Sequence, residues 1–171
     1  MPSYCAPGNH DVGNSPTVSS LQRYRQAFGD DYFSFEHKGY TFVIVNSSLW
    51  KAPVAGESEK QDEWLSQTLA AARDKNSPVF VVGHHPLYLT SPSEAEEYYN
   101  VPPAKRSELL ALFEESGVVA VLGGHRHLLV INEYKGIQLV NGEVTSRHFD
   151  SSPLGFRLWH VDSPTSIRHE F

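Results

Sequence analysis

The stretch Val79-Phe80-Val81-Val82-Gly83-His84-His85-Pro86 decides how the chain folds: four apolar residues in a row, a glycine, then two histidines and a proline. A short unbroken apolar run reads as a strand covered on both faces, the mark of a parallel sheet. Val118-Val119-Ala120-Val121-Leu122 followed by Gly123-Gly124-His125-Arg126-His127 repeats the design, and Ser3-Tyr4-Cys5-Ala6 followed by Pro7-Gly8-Asn9-His10-Asp11 gives a shorter version of it. In open α/β sheets ligands bind beyond the carboxyl ends of strands, and glycine there lets backbone approach a ligand closely. If the three runs are neighbouring strands, Asn9, His10, His84, His125 and His127 meet at one rim.

Between these runs the pattern alternates helix and strand. Ser15-Pro16-Thr17 opens a helix carrying Val18, Leu21, Tyr24, Ala27 and Phe28, which Gly29 closes. Tyr32–His37 and Tyr40–Asn46 flank Lys38-Gly39 as a hairpin. A helix is expected over Glu57–Lys75, a polar proline-rich surface loop over Ser91–Pro103, and a third helix around Leu109–Phe113 ending at Gly117. Leu129–Glu133, Ile137–Asn141, Gly155–Val161 and Ser166–Glu170 are strand-like. The alternation points to an α/β or α+β domain, and 171 residues suit one domain, here 1–171.

Composition narrows the partners. Lys+Arg 14 against Asp+Glu 20 gives a formal charge of -6, which argues against a nucleic-acid surface. No apolar run is long enough to span a membrane, and Met1–Pro7 lacks the layout of a signal peptide. One cysteine, Cys5, cannot close an internal disulfide, so a reducing, cytoplasmic setting is expected. The 9 histidines are the unusual feature. Neutral imidazoles with an amide oxygen suit Mn, Zn or Fe better than Ca.

Plainer readings stand beside these. Asn9-His10-Asp11 alone is an ordinary Asn/Asp turn, His84-His85-Pro86 alone a strand exit, and His-x-His alone a weak signal. His37, His148, His160 and His169 read as surface or satisfied polar groups, Trp50, Trp64 and Trp159 as packing residues, and Glu94, Glu96 and Glu97 as a solvated face. Leu129 occupies the position where a metallo-β-lactamase His-x-His-x-Asp pattern needs its Asp, and the chain has no Gly-x-Ser-x-Gly elbow.

Taken in order, Gly8-Asn9-His10-Asp11, Gly83-His84-His85-Pro86 and Gly124-His125-Arg126-His127 resemble the later motifs of the calcineurin-like metallophosphoesterases. Gly8-Asn9-His10-Asp11-Val12-Gly13-Asn14-Ser15-Pro16-Thr17, Gly29-Asp30-Asp31-Tyr32-Phe33-Ser34-Phe35, Val45-Asn46-Ser47-Ser48 and Leu154-Gly155-Phe156-Arg157 extend the likeness over nearly the whole chain. The family's first two motifs, Asp-x-His and Gly-Asp-x-x-Asp, have no counterpart before Asn9, so the chain resembles the C-terminal two-thirds of such a domain.

The resemblance implies a four-layer sandwich of two mixed sheets flanked by helices, lacking its leading strand–helix units. It implies a divalent-metal hydrolase of phosphate esters, with phosphoserine/threonine proteins or small phosphoesters as substrates. Asn9, His84 and His125 would bind one ion and His127 another, with the remaining ligands of that second ion in the missing segments. His10 would be the general acid and Asp11 would orient its ring. His85, Tyr88 and Arg126 would touch the substrate phosphate. The other reading of the same residues is a catalytically incompetent piece that binds one metal or a partner. Loss of the leading strands would leave an apolar edge near Tyr4 open to self-association.

Overall fold

The computed structural model describes residues 2–146, 151 and 153–171. Its centre is a six-stranded sheet in the order β1(Phe33–His37), β2(Tyr40–Ile44), β3(Val79–Val82), β4(Val118–Gly123), β6(Ile137–Asn141), β5(Val130–Tyr134). β2, β3, β4 and β6 run parallel, while β1 and β5 pair antiparallel at the two edges, so the sheet is mixed. The two edge hairpins turn at Lys38-Gly39 and Lys135-Gly136, where all four residues have positive φ. That is the backbone of a two-residue type I′ connection, which glycine favours.

One face of the sheet is covered by α4(Glu57–Asp74) and α5(Pro103–Glu115). Leu65, Leu69 and Ala72 of α4 and Leu109, Leu110 and Phe113 of α5 close over Val43, Val79, Val81, Ile137 and Leu139 as one apolar core. The opposite face carries a two-stranded antiparallel sheet, β7(Leu158–Ser163) and β8(Ser166–Glu170). Trp159 meets Phe80 edge-on with ring centroids 6.1 Å apart, and Gln138 Nε2 donates to the Ile167 carbonyl at 3.0 Å. Helices, a mixed sheet and a second sheet therefore stack in layers, as the sequence led us to expect.

A smaller packing unit lies at the amino-terminal side. Val12 of α1(Asn9–Val12), Leu21 and Tyr24 of α2(Val18–Phe28), and Leu49 of α3(Ser48–Lys51) form a separate buried cluster. Thr17 caps α2: its hydroxyl accepts from Ser20 N–H at 3.1 Å and Ser20 Oγ accepts from Thr17 N–H at 2.9 Å, a reciprocal pair.

One expectation fails. Ser3–Ala6 forms no strand and joins no sheet. Its aromatic member instead lies on β1, with Tyr4 half exposed and stacked on Phe35 at 4.0 Å. Among the described residues, no helix is long and apolar enough to cross a membrane. Trp50 is buried in the main core, with Trp64 packed partly buried against it. His160 pairs with Glu170 at 2.9 Å, His169 Nδ1 lies 2.8 Å from Arg157 Nη1, and His37 is exposed. His148 lies outside the described residues.

Candidate metal centre

The four parallel strands end on one rim. Asn46-Ser47 leave β2, Gly83-His84-His85 leave β3, Gly124-His125 leave β4, and Asn141 ends β6. Ser47 holds the β3 exit: its hydroxyl accepts from the backbone N–H of His84 at 3.0 Å and of His85 at 2.8 Å, and sits 3.1 Å from His85 Nδ1. His84 in turn presents its carbonyl to Gly124 N–H at 2.9 Å, tying the β3 and β4 exits together. His125 and His127 both sit at positive φ, 66° and 60°. Non-glycine residues rarely adopt that backbone and pay of order 1 kcal/mol for it, a cost concentrated at functional turns.

Asn9 comes from outside the sheet. α1 is four residues long and places the buried Asn9 carboxamide over the β3 and β4 exits. Its Oδ1 lies 2.8 Å from His84 Nε2, and His84 Nε2 lies 3.0 Å from His125 Nδ1. Asn9 Oδ1 and His125 Nδ1, from residues 116 positions apart, thus both lie within one hydrogen-bond length of His84 Nε2. Gly8 makes this possible, because a Cβ there would stand 3.0 Å from the His84 ring.

Burial keeps the imidazoles neutral. It lowers the His84 pKa to about 4, with the neighbouring His125 adding to the effect. It lowers His85 to about 2, again reinforced by His125, and lowers His125 as well. Neutral imidazole is the metal-binding form. The Tyr98 main-chain carbonyl lies beside the His125 ring and favours its protonated form. It closes no hydrogen bond on His125 Nε2, which stays without a partner among the described residues.

This donor set fits a divalent cation of the Mn, Zn or Fe kind. Ligands about 2.1 Å from an ion and cis to one another stand about 3 Å apart, close to the separations of His84 Nε2 from Asn9 Oδ1 and from His125 Nδ1. The amide oxygen is essential to the set: among the described residues, no three of His, Cys, Asp and Glu form a metal-binding group by themselves.

The remaining expected residues distribute unevenly. His127 and His10 lie within electrostatic reach of His84 and His125, and His10 is exposed. Asp11 Oδ2 accepts from Gly8 N–H at 2.8 Å, and no hydrogen bond among the described residues joins Asp11 to His10. The reason is geometric, since adjacent residues on a helical turn point apart. His85 is buried against Ser47 and His125. Arg126 lies over the Tyr99 ring, 4.6 Å from its centroid, as a cation–π pair. Tyr88 is buried in the core with its hydroxyl donating to Glu133 O at 3.2 Å, away from the rim.

Some participants were not singled out from the sequence. Ser47 follows a parallel strand, and the logic that selected His84 and His125 applies to it equally. Tyr98 and Tyr99 arrive on the 87–101 loop and pack on His125 at 5.0 and 5.5 Å. That loop is held by two groups. Arg106, fully buried, donates to the carbonyls of Leu87, Pro92, Glu94 and Val101. Glu94, expected on a solvated face, accepts from the backbone N–H groups of Leu89, Thr90 and Ser91 and from the Asn100 side chain. Burial favours its neutral form, but these bonds win and bring its pKa down to about 2.

Comparison with known proteins agrees with this geometry. The calcineurin-like phosphoesterase family model matches residues 1–129. The human serine/threonine-protein phosphatase CPPED1 is 33% identical over 162 residues, covering 92% of this chain and 52% of that protein. The 3',5'-cyclic adenosine monophosphate phosphodiesterase CpdA of Haemophilus influenzae is 25% identical, covering 99% of this chain and 62% of that protein. The chain thus spans about half the length of the CPPED1 relatives it matches. Among solved structures, GAP50, the anchor in the inner membrane complex of Plasmodium, superimposes with a TM-score of 0.51 at 18% identity, over 67% of this chain and 36% of that one, a likeness of fold alone. Motif order, rim geometry and a family match over three-quarters of its length agree: the chain belongs to the calcineurin-like phosphoesterase family.

Proposed function

We propose that the chain binds divalent metal through Asn9, His84 and His125, with His127 serving a second ion, and that the assembled site hydrolyses phosphate esters. The observation that carries this reading is the approach of Asn9 Oδ1 and His125 Nδ1 to His84 Nε2, at 2.8 and 3.0 Å. When bound, the metal would polarise a phosphoryl oxygen and lower the pKa of an attacking water. The chain's own residues do the rest. His84 and His125, kept neutral by burial, offer lone pairs without first losing a proton. His10, exposed at the rim, gives a proton to the departing ester oxygen. Arg126, at the edge of the same turn, meets the phosphate's negative charge. The CPPED1 relatives, named serine/threonine-protein phosphatases, bring phosphoserine and phosphothreonine in proteins as the substrate class.

A second reading rests on the ligand count. Three donors converge, whereas His127 is the one residue of this chain proposed for the other ion. The chain would then bind one ion and turn over slowly or not at all. Calorimetric titration with Mn²⁺, paired with a phosphoester assay of the chain and of His125→Ala, separates the two. Two ions per chain, with turnover abolished in the variant, support the hydrolase. One ion without turnover supports a binding-only role.

A further inference from the structure

A carboxamide can serve a cation only through its oxygen, yet its two ends are nearly equal in shape. Something must decide which end faces the ligand cluster. In this structure both N–H groups of Asn9 Nδ2 are taken: Asn14 Oδ1 accepts at 2.7 Å and the Tyr98 hydroxyl at 3.1 Å. The Tyr98 hydroxyl in turn donates a hydrogen bond to the same Asn14 oxygen at 3.3 Å. The three contacts form a consistent donor–acceptor ring, and a flipped Asn9 would bring its oxygen against the Asn14 oxygen and its NH2 against His84.

Building on the metal-site reading above, we propose that Asn14 and Tyr98 are positioning residues. They clamp the Asn9 carboxamide so that its oxygen, not its nitrogen, faces the ligand cluster. Each half of the clamp has its own support. Asn14 is turned toward Asn9 by Gly13, whose φ of 94° is open to glycine and strained for other residues. Tyr98 arrives from 89 residues away on the loop secured by Arg106 and Glu94, and it also places its ring and main-chain carbonyl against His125. Tyr98 therefore touches two of the three ligands. Asn14 and Tyr98 are both exposed, Tyr98 by 52%, so neither acts as core packing. Outer partners of this kind hold a ligand in its binding orientation before the ion arrives, and their loss commonly weakens metal binding about 10–100-fold.

The test uses Tyr98→Phe, which keeps the ring and removes the hydroxyl, together with Asn14→Ala, in the full chain. Mn²⁺ affinity is read by calorimetry. The double variant is expected to bind about tenfold more weakly, with the metal-free melting temperature unchanged. In an Asn9→Ala background the same two substitutions are expected to have no further effect, because the clamp acts through Asn9. Unaltered affinity in the double variant, or an equal loss in the Asn9→Ala background, overturns the clamp. A metal-free readout separates this outcome from failure of the underlying reading. The Asn9 side-chain amide protons, followed by NMR, are expected to exchange slowly in the parent chain and quickly in the double variant. Equal exchange in the two also overturns the clamp. A parent chain that binds no Mn²⁺ overturns the metal reading and the ligand-positioning role with it, whatever the amide exchange shows.

Discussion

Replacing Arg106 by methionine gives a sharp test of how the loop over the site is held. Arg106 is 0% exposed and donates from Nε to Leu87 O at 2.7 Å, from Nη1 to Pro92 O at 2.9 Å and Glu94 O at 2.8 Å, and from Nη2 to Val101 O at 2.8 Å. Methionine fills a similar volume without donors. The sum of four bonds overstates the loss, because burying an unpaired guanidinium is itself costly and the variant avoids that cost. What remains is the stranded acceptors. The bonds to Leu87 O and Val101 O are buried, whereas the other two carbonyls are reached by water more easily. Two buried carbonyls left unsatisfied cost about 1–3 kcal/mol each, so the variant should be about 2–6 kcal/mol less stable. With a urea dependence of about 2 kcal/mol per molar, the unfolding midpoint should fall by about 1–3 M. Hydrogen exchange should quicken across residues 87–101 before it quickens in β3 or β4. Arg106→Lys should not rescue the loss, since a single ammonium cannot span four carbonyls. A midpoint within about 0.3 M of the parent would refute the assignment of Arg106 as the loop's anchor.

Three further outcomes are expected. Gly8→Ala should leave the fold intact but push the His84 ring by a few tenths of an ångström from its 3.0 Å approach, lowering Zn²⁺ affinity several-fold in competition with a chromophoric chelator. Metal-free protein should lose stability on acidification. His84 titrates near 4 in the folded state and near 6.5 when unfolded, so below 6.5 the unfolded chain binds more protons; the stabilisation is full above 6.5 and lost as pH falls through about 4, which melting at pH 7, 6 and 5 will show. Asp31→Ala should cost about 1–3 kcal/mol in urea unfolding, because Asp31, 1% exposed, accepts from Arg25 Nε at 2.6 Å and Asn46 Nδ2 at 2.9 Å, and its loss strands the buried Asn46 amide while Arg25 keeps Glu57 at 2.7 Å. Asp31→Asn should cost less, since its amide oxygen can still accept one of the two bonds.

The strands and helices that place the site were legible because each carries a periodic signal. Val79–Val82 and Val118–Gly123 are apolar on both faces because both lie among the central, parallel strands of the mixed sheet, and the glycines after them mark where the backbone must approach other groups. The convergence of His84 and His125 followed from that arrangement, whereas Asn9 joins them from α1, outside the sheet. Ser3–Ala6 misled because four residues of suitable composition make a strand only when a neighbour supplies hydrogen bonds. The 87–101 loop was opaque for a different reason. Arg106, Glu94 and Asn100 bond to backbone carbonyls and N–H groups, and such bonds need no particular residue type at the receiving end. Nothing in the spacing of Leu87, Pro92 and Val101 announces that one guanidinium will serve all of them. Tyr88 and Tyr98 are alike in composition, yet one ended in the core and the other on Asn9, a difference fixed by the path of that loop.

The ligands are drawn from two separately packed bodies. Asn9 belongs to the small cluster built on Val12, Leu21, Tyr24 and Leu49, while His84 and His125 leave strands of the main core. A cation seated among them would rivet the two bodies, and its binding energy would be spread across the seam as cohesion of residues 9–29 with the sheet. Chelation should therefore loosen that amino-terminal body first, and with it the backbone that carries His10.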